Sequence, residues 1–361
     1  MMQELFFELL RVGIGTQSAL SRCLTADEWQ GVFEMARKQS VVGVAYAGVC
    51  RLPETMRPEE DLMMMWTGLV VKIQQRNMTV NRQCEFVQGK MAEAGFRTYI
   101  MKGQGNAALY PDASLRQSGD IDIFLEGGLK RVMGYVNSMA PTREVNELEV
   151  HFPAFSDTDV EIHYRPMIMR NVWKNRRLQG FFERHAEECF ANRVVLGKTL
   201  TGEAVAAVPT RVFNLIHQMV HIHLHLFTEG IGMRQLMDYF FVLKVGGPEV
   251  PNEVWTMVER LGLKNFAAAL MWVMGEVFGL EREFMLCEPN ARDGRFLLSE
   301  VMRAGNFGRF DVDQQRRKER WYALPWLMVL RNLRLWRFDR WDWLCGPAWR
   351  LYYNVWRRLR R

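Results

Sequence analysis

Apolar side chains keep a helical period up to Gly95, change period from Phe96 with short stretches that alternate, and read as mostly helical again after Pro209. A chain patterned this way buries its apolar faces by packing helices around a sheet, which sets the class as α+β. The expected organisation is a helical region over 1–95, a mixed core over 96–208, a second helical region over 209–315 and a distinct tail over 316–361. With 48% apolar residues in 361, the chain can bury a substantial core.

Punctuation along the sequence supports this division. Thr25-Ala26-Asp27-Glu28 has the form of a capping box, and Trp29, Val32, Phe33 and Ala36 follow at helical spacing. Glu59-Glu60-Asp61 supplies the acidic first turn of a long helix to about Ala94, whose Met63, Met64 and Met65 read as core filler. A strand is expected over Thr98–Met101, turned by Lys102-Gly103 into a brief helix Gln104–Tyr110. Leu129–Met139 reads as a helix, Glu147–Ala154 with Thr158–Tyr164 as one hairpin, and 193–208 as another. Pro209 opens the next helix.

Within the mixed core, Asp120-Ile121-Asp122 places two carboxylates at alternate strand positions. Successive strand side chains face opposite ways, so both acids leave one face while Ile121 and Ile123 enter the core. Two such charges repel, and a divalent cation relieves them. Glu161 and His163 share one face of the first hairpin's second arm, with Val160, Ile162 and Tyr164 on the other. If that arm lies beside the Asp-Ile-Asp strand, Glu161 becomes a third metal carboxylate. Such a set can hold two divalent ions, Mg²⁺ or Mn²⁺, about 3.5–4 Å apart for phosphoryl or nucleotidyl transfer. His163 would orient a ligand or line the cleft.

Phosphate contacts are expected nearby. Lys102-Gly103-Gln104 opens a helix whose N–H groups attract anions, Ser118-Gly119 can approach from the other side, and Arg116 offers a bidentate fork. His217, His221 and His225 lie on one helical stripe, with His223 facing away. No carboxylate or cysteine stands at ligand spacing beside them, so a structural or cleft-lining role is expected. Arg234 and Asp238, four apart, read as an ion pair along one helix face, with contact to the cleft as the other reading.

Met101-Lys102-Gly103, Leu109-Tyr110-Pro111, Arg116 to Asp122 and Val160-Glu161-Ile162-His163-Tyr164 together resemble a bacterial family of uncharacterised nucleotidyltransferases within the DNA polymerase β-like superfamily. Asp27-Glu28-Trp29 and the His-rich helix with Arg234-Gln235-Leu236-Met237-Asp238 extend the likeness over about 25–245. The resemblance implies a small mixed sheet with helices, and transfer of a nucleoside monophosphate from an NTP such as ATP to an acceptor, with pyrophosphate leaving. It implies that Asp120, Asp122 and Glu161 bind the metals and that Gly103 and its neighbours hold the triphosphate. Gln104 stands where that family usually has Ser, and the loop before the Asp pair is long. The acceptor is left unnamed. Two other readings compete. One is an Asp-x-Asp glycosyltransferase, which would want a doubly wound sheet ahead of the motif. The other is a degenerate form of the fold that binds a nucleotide or partner without chemistry.

The tail carries thirteen Arg or Lys against three acids, a local net of +10 in a chain of +6, and seven of the twelve tryptophans. Trp349, Tyr352, Tyr353 and Trp356 follow helical spacing, with Arg350, Arg357, Arg358, Arg360 and Arg361 around them. This pattern suits an anionic membrane surface, ahead of a nucleic-acid backbone; the alternative is packing onto the helical body with solvated arginines. Six scattered cysteines without a Cys-x-x-Cys pair fit free thiols in a reducing cytosol. No membrane span is expected, and Glu4 and Glu8 stand where a secretory signal would want basic residues. The expected location is cytoplasmic, with peripheral contact at the membrane's inner face.

Overall fold

Residues 2–140, 142, 145–305, 333–339, 345 and 349 are described by a computed structural model of the chain. Helices α1 (Met2–Ile14), α2 (Ala26–Lys38), α3 (Val42–Arg51) and α4 (Glu60–Glu93) come first. The capping box closes α2: Thr25 Oγ1 accepts from the Glu28 N–H at 3.3 Å, and Glu28 Oε2 accepts from the Thr25 N–H at 3.0 Å. Helix α4 runs about 50 Å and serves two cores. Trp66 and Val70 join the helical core, whereas Val80, Cys84, Val87 and Met91 pack beneath the sheet.

The alternating segment follows as β1 (Thr98–Met101), α5 (Gly103–Ala107), β2 (Ile121–Leu125), α6 (Gly128–Met139), β3 (Glu149–Phe152) and β4 (Val160–His163). The strands form one mixed sheet in the order β1-β2-β4-β3, with β2 and β4 parallel and the outer pairs antiparallel. Ile121, Ile123, Val150, Val160 and Ile162 share a core with Val132 and Val136 of α6. Helix α7 (Val172–Ala191) leads to the hairpin β5 (Arg193–Lys198) and β6 (Glu203–Ala207), then to α8 (Arg211–Thr228), α9 (Met233–Lys244), α10 (Asn252–Arg260), α11 (Lys264–Phe278) and α12 (Ala291–Ala304). Tyr99 stacks on Phe124 at 4.8 Å and meets Phe190 of α7 and Phe213 of α8. Those rings cover part of the sheet's second face.

Buried amides on α4 fix the loop ahead of β2. Asn77 Nδ2 donates to the carbonyls of Ser114 at 2.7 Å and Arg116 at 2.8 Å, while Asn81 Nδ2 donates to Lys198. The buried Arg116 carbonyl thus gains a partner that water cannot supply. From α3, Val42 donates its N–H to Gln117 Oε1 at 3.2 Å. The N-terminal helices therefore position the loop that delivers Asp120.

Several boundaries differ from expectation. The brief helix ends at Ala107, and the helix after Pro209 starts at Arg211 with Thr210 as its cap. Asp120 sits just ahead of β2. Helices alone precede the four-stranded sheet among the described residues, which is not the doubly wound arrangement an Asp-x-Asp glycosyltransferase would want. Cys23, Cys50, Cys84, Cys189, Cys287 and Cys345 are free thiols. Among the described residues no helix is long and apolar enough to cross a membrane.

Part of the basic tail is docked. Leu335 and Phe338 are buried, Phe338 packs on Phe266 and Phe296, and Arg334 and Arg337 pair with Glu300 and Asp293. Asp339 forms a buried ion pair with Lys174 at 2.7 Å. These arginines are paired to the body, not simply solvated. Of the expected tail stripe, Trp349 is described; Tyr352, Tyr353, Trp356 and the surrounding arginines lie outside the described residues.

Candidate active site

Strand register assembles the site. Asp122 lies opposite Glu161 across the parallel pair, and Glu149 lies opposite His163 across the antiparallel pair. Opposed residues share a face, and so do residues two apart. One face therefore collects Asp122, Glu161, His163 and Glu149. Ligand atoms of Asp122, Glu161 and His163 all lie within 4.8 Å of one another. His163 Nε2 is 2.9 Å from Asp122 Oδ1, 3.1 Å from Glu149 Oε2 and 4.0 Å from Glu161 Oε2.

Lys102 enters this face from the end of β1. Its backbone has φ +49° and ψ −141°, a region that costs a non-glycine residue about 1–3 kcal/mol. Gly103 follows at φ +35°. From this turn Lys102 Nζ reaches Asp122 Oδ1 at 2.6 Å. Strain at such a position marks a conformation imposed by the surrounding fold.

The charges are unbalanced. Burial and then the neighbouring carboxylates of Asp122, Glu149 and Asp120 push Glu161 up to about 9, against the pull of Lys102. Asp122 and burial raise Asp120, whose side chain reaches solvent in the cleft. Burial alone would raise Asp122, but the Lys102 ammonium and the His163 ring outweigh it and hold the carboxyl below its ordinary range. Crowded carboxylates with an imidazole beside them suit a divalent cation, and the donor set of two carboxylates and one ring nitrogen fits one.

A cleft of about 540 Å³ opens over this face. Asp120, Lys102, Gly103 and Gly119 border it from the sheet side. Gln218, His221, His225 and Thr228 border it from α8, and Arg234 and Asp238 from α9. His221 and His225 meet edge to face at 4.4 Å, while His217 is fully buried behind them with Nε2 3.1 Å from the Pro166 carbonyl. Burial, reinforced by Lys102, brings His217 down to about 3 and His221 well below its ordinary value. Among the described residues, the histidine stripe forms no metal-ligand cluster.

Of the residues expected at the phosphate, Arg116 lines the cleft with its side chain already engaged, whereas Gln104 and Ser118 do not line it. Arg116 has its fork closed on Asp238: Nε donates to Oδ1 at 2.8 Å and Nη2 to Oδ2 at 2.7 Å, both side chains being buried. Tyr110 also donates to Asp238 Oδ1, at 2.7 Å. The carboxylate assigned by spacing to Arg234 is thus bound bidentately by an arginine from the loop ahead of β2. Gln104 faces α4, where its Nε2 bonds Asn81 Oδ1 and lies 3.4 Å from Asn77 Oδ1. Ser118 borders a separate groove with Arg37, Lys72 and Arg76. Helix α5, which follows the Lys102 turn, spans only Gly103–Ala107. Arg234 remains at the cleft, its Nη1 donating to the Gln117 carbonyl at 3.0 Å; burial and then Arg116 lower it to about 10.

Sequence reasoning missed Glu149. The signal was present in the hairpin register, because pairing Glu149 with His163 follows once the turn near Asp157 is centred. It also missed the buried amides of α4, which look like ordinary polar positions of a long helix.

A family model described as an uncharacterised nucleotidyltransferase matches residues 25–279. The match begins at the capping threonine of α2 and ends at Gly279, the cap of α11. No curated protein matches the chain, and no solved structure matches it.

Proposed function

The chain belongs to the uncharacterised nucleotidyltransferase family, and from that premise we propose that it transfers a nucleoside monophosphate from an NTP to an acceptor in a metal-dependent reaction. The observation that carries this reading is the Asp122, Glu161 and His163 cluster at the floor of the 540 Å³ cleft. Those three residues would hold a divalent cation, Mg²⁺ or Mn²⁺, with Asp120 at the cleft rim beside them. Once bound, the cation would neutralise triphosphate charge and favour the attacking oxygen.

The chain's own residues supply the rest. Lys102 brings a cation to the carboxylate cluster and can turn its ammonium to a phosphate oxygen. Arg234 lies across the cleft beside Gly119, where a side chain would meet the guanidinium at 3.7 Å. Gly103 and Gly119 let backbone approach the triphosphate closely. His163 bridges Asp122 and Glu149 and keeps the cluster on one face.

The test is release of pyrophosphate from each of the four NTPs with Mg²⁺ or Mn²⁺ and a cell extract as the source of acceptor. Label transferred from an α-labelled NTP identifies the acceptor class. An absence of both pyrophosphate and label transfer with every NTP would remove the reading.

A further inference from the structure

The cleft lining is chemically mixed. Asp120, Asp122, Glu161 and Lys102 supply charge. Leu148, Met167, Ile168, Leu224 and Trp349 supply apolar surface. Along α8 the step from His221 to Thr228 covers about 10 Å. That length can separate the phosphates of a nucleotide from its base. Trp349 is the only Trp, Tyr or Phe among the described residues that line the cleft, and it is half-buried there.

Trp349 follows residues held to the body. Phe338 is buried, Asp339 pairs with Lys174, and Asn171 Nδ2 lies 3.6 Å from Cys345 Sγ. It stands well beyond Gly279, where the family match ends. The family region thus carries the acids, and the C-terminal segment adds the aromatic surface.

We propose that Trp349 is a substrate-contacting residue: its indole is the platform on which the base of the incoming nucleotide stacks. The proposal rests on the nucleotidyltransferase reading above. Every nucleobase presents a π-face, and base–aromatic stacking contributes about 1–3 kcal/mol. A triphosphate without a base gains nothing from the indole.

Calorimetry separates the two ligands. The probes are inorganic tripolyphosphate and the tightest-binding of ATP, GTP, CTP and UTP, each with Ca²⁺ in place of a catalytic ion. Trp349→Ala is expected to weaken nucleotide binding by about tenfold or more and to leave tripolyphosphate binding unchanged. Trp349→Phe, which keeps a ring and guards against a folding defect, should stay within about threefold of wild type. Unchanged nucleotide binding by Trp349→Ala overturns the proposal. So does equal weakening of both ligands, which would make the residue structural, or tighter nucleotide binding, which would make the indole a plug. A wild-type protein that binds neither probe overturns the nucleotidyltransferase reading itself, a result distinct from any seen only in the variants.

Discussion

Lys102 Nζ lies 2.6 Å from Asp122 Oδ1, the same oxygen that His163 Nε2 approaches at 2.9 Å. A carboxylate that would hold a divalent cation is thus bonded to an ammonium on a strained turn. Burial would lower Lys102, but Asp122 and Asp120 outweigh it and hold its ammonium protonated. On the metal-dependent reading proposed above, Lys102 and the ion would compete for one oxygen. An ion bound there would displace the lysine, and a triphosphate would offer the ammonium another partner.

Lys102→Met should consequently bind Mn²⁺ about tenfold or more tightly than wild type, since a unit charge at this distance is worth kilocalories in a protein interior. Turnover should fall at the same time, because the triphosphate loses a cation. Mn²⁺ titration followed by electron paramagnetic resonance reads the first effect. Weaker Mn²⁺ binding in the variant would show that the lysine orders the acids instead of competing with the ion.

Asp122→Asn keeps the shape of the side chain and an acceptor oxygen for Lys102, but not the charge. Nucleotidyl transfer should drop by at least about a hundredfold, with the urea midpoint close to wild type. Full activity in this variant would show that the cluster does not perform the chemistry.

The Arg116–Asp238 pair predicts a stability effect. Both groups are buried and joined bidentately, so removing one strands the other. Asp238→Leu should cost about 3–5 kcal/mol, and the double variant with Arg116→Met should recover most of that loss. Urea unfolding of the two single variants and the double variant measures it. Additive losses would mean the two residues act independently.

These relationships show where the sequence was legible. Asp122, Glu161 and His163 could be placed on one face because strand period and burial of Ile121, Ile123, Val160 and Ile162 determine it locally. The capping box at Thr25 was readable for the same reason: its partners are three residues apart. Arg116 and Asp238 are far apart in sequence, and only tertiary packing decides which arginine closes on which acid. Spacing along α9 pointed to Arg234, but the loop ahead of β2 brings Arg116 closer. The orientation of Gln104 was equally hidden, since its partners Asn77 and Asn81 lie on α4 and carry no local signal.

His217 sets an acid limit on stability. Burial, then the charges of Lys102 and His163, bring it down to about 3 from an ordinary value of 6.5. Between those values the unfolded chain takes up a proton that the folded chain refuses. The stability is present above about pH 6.5 and is lost as pH falls toward about 3, at up to about 1.4 kcal/mol per pH unit. His217→Gln can retain an N–H donor for the Pro166 carbonyl. Its urea midpoint should change less between pH 7 and pH 5 than that of wild type. An equally steep loss in the variant would assign the acid sensitivity to other groups.

Gln104 completes the contrast between a family position and its local use. Its side chain bonds the buried amides of α4 and does not border the cleft, although its backbone follows Gly103. Gln104→Ser introduces the hydroxyl expected here from the family resemblance but leaves Asn77 and Asn81 short of a partner. An unsatisfied buried amide costs about 1–3 kcal/mol, so the variant should unfold at lower urea while its KM for NTP stays near wild type. The two readouts separate a structural role from a phosphate contact. A KM that falls severalfold with the hydroxyl in place would mean that residue 104 faces the triphosphate, and that the α4 amides hold the glutamine only until the nucleotide arrives.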